Sequence, residues 1–199
     1  MVGIIDYGVG NLFSLRSSFA AIGVEAFVSG DAGELAKADR LILPGVGAFG
    51  DAAEKLRATG LDAFVREQAA AGKPLMGICL GMQLLFERSF EYGEHFGLGL
   101  LKGQVVGMSG RLPEGLKIPH MGWNALKLTK AAKLLEEGSY VYFVHSFYAE
   151  NCEDSLAAVT DYGIPITAAV EKDNIFGCQF HPEKSGNVGL AILKKFCEV

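Results

Sequence analysis

Residues 77–81 read GICLG, a cysteine between two glycines. Before it, Pro74, Leu75, Met76, Gly77 and Ile78 make an apolar run of strand length; after it, Met82, Leu84, Leu85 and Phe86 suit a buried helix. Cys79 is therefore expected at a strand-to-helix turn, where flanking glycines keep side chains clear of a sharp bend, as at a nucleophile elbow. The helix that follows would point its free N–H groups and positive end at the sulfur, which favours the thiolate. A cysteine nucleophile also needs a base. Of the four histidines, only His181 ends an apolar run, in QFHPEKS. Pro182 pushes His181 toward extended geometry, so that His181 and Glu183 can project to the same side. A carboxylate accepting the Nδ1–H of His181 would hold the tautomer whose Nε2 takes the thiol proton, the division of labour of a triad.

Acyl transfer also needs donors for an oxyanion. Leu80, first in the helix, offers one N–H. PGVG at 44–47 offers more, at Val46 and Gly47, because Gly45 and Gly47 permit backbone angles that expose amides. Taken singly, each motif has a plain alternative: a packed cysteine, a solvated surface turn, an ordinary strand–helix connection. DYGVGN at 6–11 lacks the third glycine of a dinucleotide fingerprint and has no phosphate-binding lysine. Their co-occurrence in one architecture gives the set its weight.

That architecture is an α/β one. Val2–Ile5, a helical stripe of Leu12, Leu15, Phe19 and Ile22, and Val24–Val28 set a β-α-β rhythm. Residues 41–43 supply another strand and 49–71 a helical stretch interrupted near Gly60, before the strand that delivers Cys79. Such alternation predicts a mainly parallel sheet with helices on both faces. Apolar runs at 101–108, 124–128, 140–144, 155–160, 164–170 and 175–180 suggest antiparallel hairpins, with Asp173 and Asn174 at a tight turn. Val188, Ile192, Leu193 and Phe196 pattern a closing helix. In an open parallel sheet, reactive groups gather beyond the carboxyl ends of the strands, which puts 6–11, 44–49 and Cys79 together.

With 199 residues, half of them hydrophobic, the chain is expected to form one domain, 1–199. A net charge of −5 makes nucleic acid an unexpected partner. Its longest uncharged apolar stretch, 74–86, falls short of the roughly 20 residues a membrane helix requires. No signal-peptide pattern is visible, and the expected location is cytoplasmic. Cys79, Cys152, Cys178 and Cys197 form no C-x-x-C pair, so free thiols are expected rather than a zinc site or redox dithiol.

Together, PGVGAF, GICLGMQ and QFHPEKS resemble the class I glutamine amidotransferases, whose triad is Cys, His and Glu in this order. DYGVGN, PHMGWN at 119–124 and YFVHSFY at 142–148 are similar to the glutaminase subunits of imidazole glycerol phosphate synthases. The resemblance implies a flavodoxin-like fold and no metal or organic cofactor. It implies hydrolysis of L-glutamine to glutamate and ammonia through a thioester on Cys79, and transfer of the ammonia to a TIM-barrel cyclase subunit in a heterodimer. On matching positions, Gly45, Gln83, Glu91, His145, Ser146 and Phe147 would bind glutamine, and Asn11, Trp123, Tyr142 and Lys184 would face the partner. The glycine-flanked loop also suggests a Val46 peptide that flips when the partner is occupied. The other readings are a different triad glutaminase, such as an anthranilate or pyridoxal phosphate synthase subunit or a γ-glutamyl hydrolase, and a catalytically silent binding module.

Overall fold

In a computed structural model, which describes residues 1–199, the first half of the chain alternates strand and helix. Its elements are β1 (Val2–Ile5), α1 (Leu12–Ala21), β2 (Ala26–Ser29), α2 (Ala32–Leu35), β3 (Arg40–Leu43), α3 (Phe49–Ala58), α4 (Leu61–Ala70), β4 (Leu75–Ile78) and α5 (Leu80–Leu84). Strands dominate the second half: β5 (Arg88–Ser89), β6 (His95–Phe96), β7 (Gln104–Gly107), β8 (His120–Ala125), β9 (Lys127–Leu128), β10 (Tyr140–His145), β11 (Phe147–Glu150), β12 (Leu156–Asp161), β13 (Pro165–Lys172) and β14 (Ile175–Cys178). A 3-10 turn at Pro182–Lys184 and α6 (Gly186–Phe196) close the chain.

The central sheet has eight strands in the order β2-β1-β3-β4-β14-β13-β12-β9. Its first five are parallel and the last three antiparallel, the arrangement of a flavodoxin-like sheet extended on one edge. Two large apolar clusters cover its faces. One gathers Leu35, Phe49, Leu56, Phe64 and Val65 from α2, α3 and α4; the other gathers Leu15, Phe19, Ile192, Leu193 and Phe196 from α1 and α6. Each fully buried phenylalanine, such as Phe19, Phe49 or Phe196, contributes roughly 1.5–3 kcal/mol of transfer free energy. The turn at Asp173 and Asn174 joins β13 to β14 with Lys172 opposite Ile175, and Asp173 takes the left-handed φ of 55° that a two-residue hairpin requires.

Several boundaries differ from the sequence expectation: the run at 101–108 pairs only over Gln104–Gly107, that at 124–128 is split between the end of β8 and β9, and that at 175–180 ends as a strand at Cys178. The strand expected at Val24–Val28 starts at Ala26, because Val24 N–H closes the end of α1 on the Phe19 carbonyl past a left-handed Gly23. The helix expected to run through Phe86 stops at Leu84. Its last turn tightens, and the Leu84 and Leu85 carbonyls accept from Leu98, Leu100 and Leu101 N–H instead. The short helix α2, capped by Asp31 Oδ1 accepting from Glu34 N–H, was not anticipated.

Candidate active site

Because β1, β3, β4 and β14 are adjacent and parallel, the loops after them leave the same edge of the sheet. DYGVGN follows β1, PGVG follows β3, Cys79 follows β4 and His181 follows β14. Register does the rest. Ile78 lies opposite Cys178, and Cys79 N–H donates to the Cys178 carbonyl at 2.8 Å, so the sulfur and the imidazole, a hundred residues apart in sequence, share one strand end.

The turn at Cys79 is strained and tightly packed. Its φ of 54° and ψ of −112° place a non-glycine residue outside the ordinary regions, at a cost on the order of 1–3 kcal/mol. Neighbouring glycines make the bend possible: a Cβ on Gly81 would lie 1.8 Å from the Leu43 carbonyl oxygen, and one on Gly77 would lie 2.6 Å from the Gly81 carbonyl oxygen. This is the elbow that the sequence led us to expect, with the side chain at its apex almost wholly buried at 8 % exposure.

His181 and Glu183 are held by their own loop. His181 Nδ1 and Glu183 Oε1 are 2.8 Å apart, and both side chains are nearly inaccessible. Ser185, which sequence reasoning passed over, clamps this loop: its hydroxyl donates to the His181 carbonyl and accepts from Tyr142 N–H, while His181 N–H donates to the Tyr142 carbonyl. Burial alone would lower the His181 pKa. Interaction with the Cys79 sulfur, and with the Glu183 carboxylate hydrogen-bonded to its Nδ1, outweighs it and lifts the value to about 9.

A cleft of about 400 Å³ opens above these residues, lined by Val46, Gly47, Cys79, Leu80, Gln83, Glu91, Tyr92, Pro119, Val144, His145, Ser146, Phe147, His181 and Lys184. All but two of the residues expected for catalysis, the oxyanion and glutamine therefore meet there. Of the two, Glu183 sits behind His181, and Gly45 lies beneath the loop against Gly81 and Leu80. Neither Val46 nor Gly47 N–H has a hydrogen-bond partner within the chain, and Gly47 takes a left-handed φ of 92°. Tyr7 pins this loop from below by donating its hydroxyl to the Pro44 carbonyl at 2.7 Å. Burial, helped by the Cys79 charge, pushes the Tyr7 pKa upward, so the hydroxyl remains a donor.

On the far wall, Glu91 is buried and accepts from Phe49 N–H at 2.7 Å; burial pushes its pKa up against that hydrogen bond. Gln83 donates from Nε2 to the Phe147 carbonyl at 3.1 Å and to Gln179 Oε1 at 2.9 Å. His145 Nδ1 lies 2.8 Å from the same carbonyl, and its Nε2 lies 3.1 Å from His120 Nδ1. Only a donor satisfies a carbonyl, so His145 carries its proton on Nδ1 and His120 donates to it. Burial holds both rings neutral, at about 3 for His145 and about 4 for His120, which stacks between Phe143 and Tyr162.

Of the residues expected to face a partner, Lys184 is exposed on the rim of the cleft, Trp123 is 55 % exposed with its ring 6.1 Å from that of Tyr142, and Asn11 stands half-buried at the start of α1, its side chain making no capping hydrogen bond. Met121 is exposed on the same strand as Trp123. Tyr7, Gln179 and Ser185 were missed as site residues. The available signal was a lone polar side chain, Gln179, between the buried Cys178 and Phe180. All four cysteines are free. No three His, Cys, Asp or Glu side chains are grouped so as to hold a metal ion, and no helix is long and apolar enough to cross a membrane.

Comparison with known proteins places this geometry. The family model described as glutamine amidotransferase class-I matches residues 3–199. Proteins named imidazole glycerol phosphate synthase subunit HisH are similar over their whole length: 52 % identity in Wolinella succinogenes, covering 100 % of both chains, and 53 % in Caldanaerobacter subterraneus, covering 100 % of this chain and 98 % of that one. The Bacillus subtilis protein of that name is 50 % identical over 100 % of this chain and 96 % of its own. Among solved structures, a glutamine amidotransferase superposes with a TM-score of 0.78 at 20 % identity, covering 99 % of this chain and 97 % of that one. PurLQS from Thermotoga maritima does so with 0.76 at 22 % identity and the same coverage, a likeness of fold alone. On the full-length match and its HisH relatives, the chain belongs to the class-I glutamine amidotransferase family.

Proposed function

We propose that the chain is the glutaminase subunit of an imidazole glycerol phosphate synthase, releasing ammonia from glutamine for a cyclase subunit. Cys79 attacks the carboxamide carbon, and the developing oxyanion takes N–H donors from Leu80 and from Val46 or Gly47. A carboxamide has a poor leaving group, so the proton on His181 goes to the departing nitrogen as the tetrahedral intermediate collapses to a γ-glutamyl thioester. The same imidazole, now neutral and oriented by Glu183, activates the water that cleaves the thioester. Gln83, Glu91 and the 145–147 segment hold the substrate in the cleft, with Gly45 letting the loop pass close beneath it.

Several features favour this reading over a silent binding module. The single observation that carries it is that Cys79 and His181 meet in one cleft large enough for an amino acid, at a shared strand end, with Glu183 hydrogen-bonded to the imidazole from behind. The identity of HisH relatives over the full chain weighs against other triad glutaminases. Ammonia is lost to protonation unless it is captured, so a glutaminase site of this kind calls for an acceptor site that receives it. A TIM-barrel cyclase seated over Asn11, Trp123, Tyr142 and Lys184 would receive it, in a cytoplasmic setting that suits free thiols.

The test is labelling with an electrophilic glutamine analogue, together with glutamate release in the presence of the cyclase. The expected result is modification of Cys79 and none of Cys152, Cys178 or Cys197, with turnover lost in Cys79→Ala. Equal glutamate release by Cys79→Ala overturns the assignment. Full activity of the chain without its partner would remove the need for a flip at Val46.

A further inference from the structure

Gln179 is the one wholly buried polar side chain beside the sulfur that the steps above do not use. It ends the strand pair β13–β14, between two fully buried apolar residues, where an unpaired carboxamide would be costly. Its two ends are both engaged: Oε1 accepts from Gln83 Nε2 at 2.9 Å, and Nε2 lies 3.7 Å from Cys79 Sγ, within range of a hydrogen bond to sulfur.

Which end faces the sulfur follows from donor–acceptor accounting, since oxygen and nitrogen of an amide are told apart by their network. The Phe147 carbonyl can only accept, so Gln83 must present Nε2 to it. That same nitrogen then faces Gln179, which must answer with its oxygen. The remaining nitrogen of Gln179 is thereby turned to Cys79. Reversing Gln179 alone would set two NH₂ groups against each other; reversing both amides would set two oxygens together at Phe147. One backbone carbonyl thus fixes the direction of the chain Phe147–Gln83–Gln179–Cys79.

We propose that Gln179 is a further catalytic residue, an N–H donor to the Cys79 sulfur whose orientation the Phe147 carbonyl imposes through Gln83. A neutral donor suits the position. It stabilises the sulfur anion before attack and when the thioester is broken, yet adds no second cation to compete with His181 for the role of acid. The relay also ties the nucleophile to the wall of the glutamine cleft, because Gln83 and Phe147 both line it. The inference rests on Cys79 being the nucleophile. The titratable groups facing the sulfur, common to every variant below, are His181, Tyr7 and Cys178.

The experiment is the rate of Cys79 alkylation by iodoacetamide, a neutral probe, in the full-length chain. In Gln179→Met, which keeps the length of the side chain and loses the donor, the rate at about pH 7 should fall on the order of tenfold, while the rate at about pH 10 should stay within about twofold. Gln179→Glu, isosteric but with an oxygen facing the sulfur, should be slower still at neutral pH. With the cyclase bound, both variants should lose kcat with little change in KM. Equal alkylation of wild type and Gln179→Met at neutral pH overturns the inference, as does equal slowing at both pH values, which marks a merely structural role. If Gln179→Met exposes the buried Cys178 to alkylation and so has not folded, Gln179→Glu decides by the same criteria. A wild-type Cys79 no more reactive than the other three cysteines defeats the nucleophile assignment itself, a distinct result.

Discussion

The two halves of this molecule bring their contributions to the cleft by different physical means. The parallel half, β2-β1-β3-β4, positions Cys79 by shape: short buried strands, a strained residue at the apex and glycines pressed against carbonyl oxygens. In the second half of the chain, His181, which follows the last parallel strand β14, and the proposed glutamine wall are positioned by polar pairing: Ser185 on the His181 loop, Glu183 on the ring, and the Phe147 carbonyl collecting His145 and Gln83. Steric positioning fails when an atom is added and is indifferent to pH. Hydrogen-bonded positioning tolerates isosteric changes in volume and fails when a proton is added or removed. The proposed nucleophile, whose location must not drift, is built by the first method; the groups proposed to exchange protons and meet substrate are built by the second.

The largest expected effect comes from one methyl group in the first region. Gly81→Ala places a Cβ 1.8 Å from the Leu43 carbonyl oxygen, backbone against backbone, with no flexible side chain to yield. Overpacking of this kind costs about 3 kcal/mol or more, and with it roughly 6–12 °C of Tm for a chain of this size. Gly47→Ala is the matched control: nothing lies within 4 Å of its Cβ, so only the left-handed φ opposes it, at about 1–2 kcal/mol. Thermal unfolding of both variants checks the contrast, and equal Tm values would break it.

In the second region, Glu183→Gln should leave the fold intact and change the proton chemistry. His181 is raised to about 9, above its unfolded value, so its contribution to stability is present below about pH 6.5 and lost as pH rises through about 9. Glutaminase turnover with the cyclase bound should follow the same alkaline limb, because the departing nitrogen needs that proton. Removing the carboxylate charge removes one of the influences raising the ring, so the limb should move down toward the ordinary histidine value, with at least about a tenfold loss at neutral pH. A limb that stays near 9 would show that Cys79 alone keeps the ring charged and that Glu183 only orients it.

How legible each half was in the sequence follows the same division. Steric positioning leaves a local trace, because glycines at fixed offsets around a cysteine and apolar runs of strand length are contiguous; GICLG, PGVG and the β-α alternation were readable for that reason. Polar positioning joins residues far apart in the chain. His181 and Glu183 were found because both lie within one tripeptide. The pairing of His120 with His145 depends on the register of β8 against β10, where the two residues stand opposite each other, and no spacing rule reports that. Gln179 meets Gln83 only once β14 lies beside β4 and α5 packs over them. Boundaries slipped where a residue of strand-forming type closes a helix instead, as Val24 does on Phe19.

The smallest effect tests whether the histidine pair belongs to the polar method at all. Both rings are held neutral, well below the ordinary value, so the unfolded chain binds more protons than the folded one as pH falls from about 6.5 toward about 4. Stability should therefore decline across that window by at most about 1.4 kcal/mol per pH unit for each ring, and the decline should end once the folded rings titrate. Glu91 and His181, both raised, contribute slopes of the opposite sign, Glu91 toward the acid end of this window and His181 toward about pH 6.5, but they are common to the wild type and the variant below, so the difference between the two slopes reports the pair. Replacing His120 by leucine removes one titrating ring and leaves His145 Nε2 without its donor, which should lower stability at neutral pH by about 1–3 kcal/mol and flatten the slope. Denaturant unfolding of the two proteins at pH values across this window decides it. If their slopes are equal, the pair is held by stacking against Phe143 and Tyr162 rather than by its protons, and the glutamine wall is more sterically built than the contrast between the two halves requires.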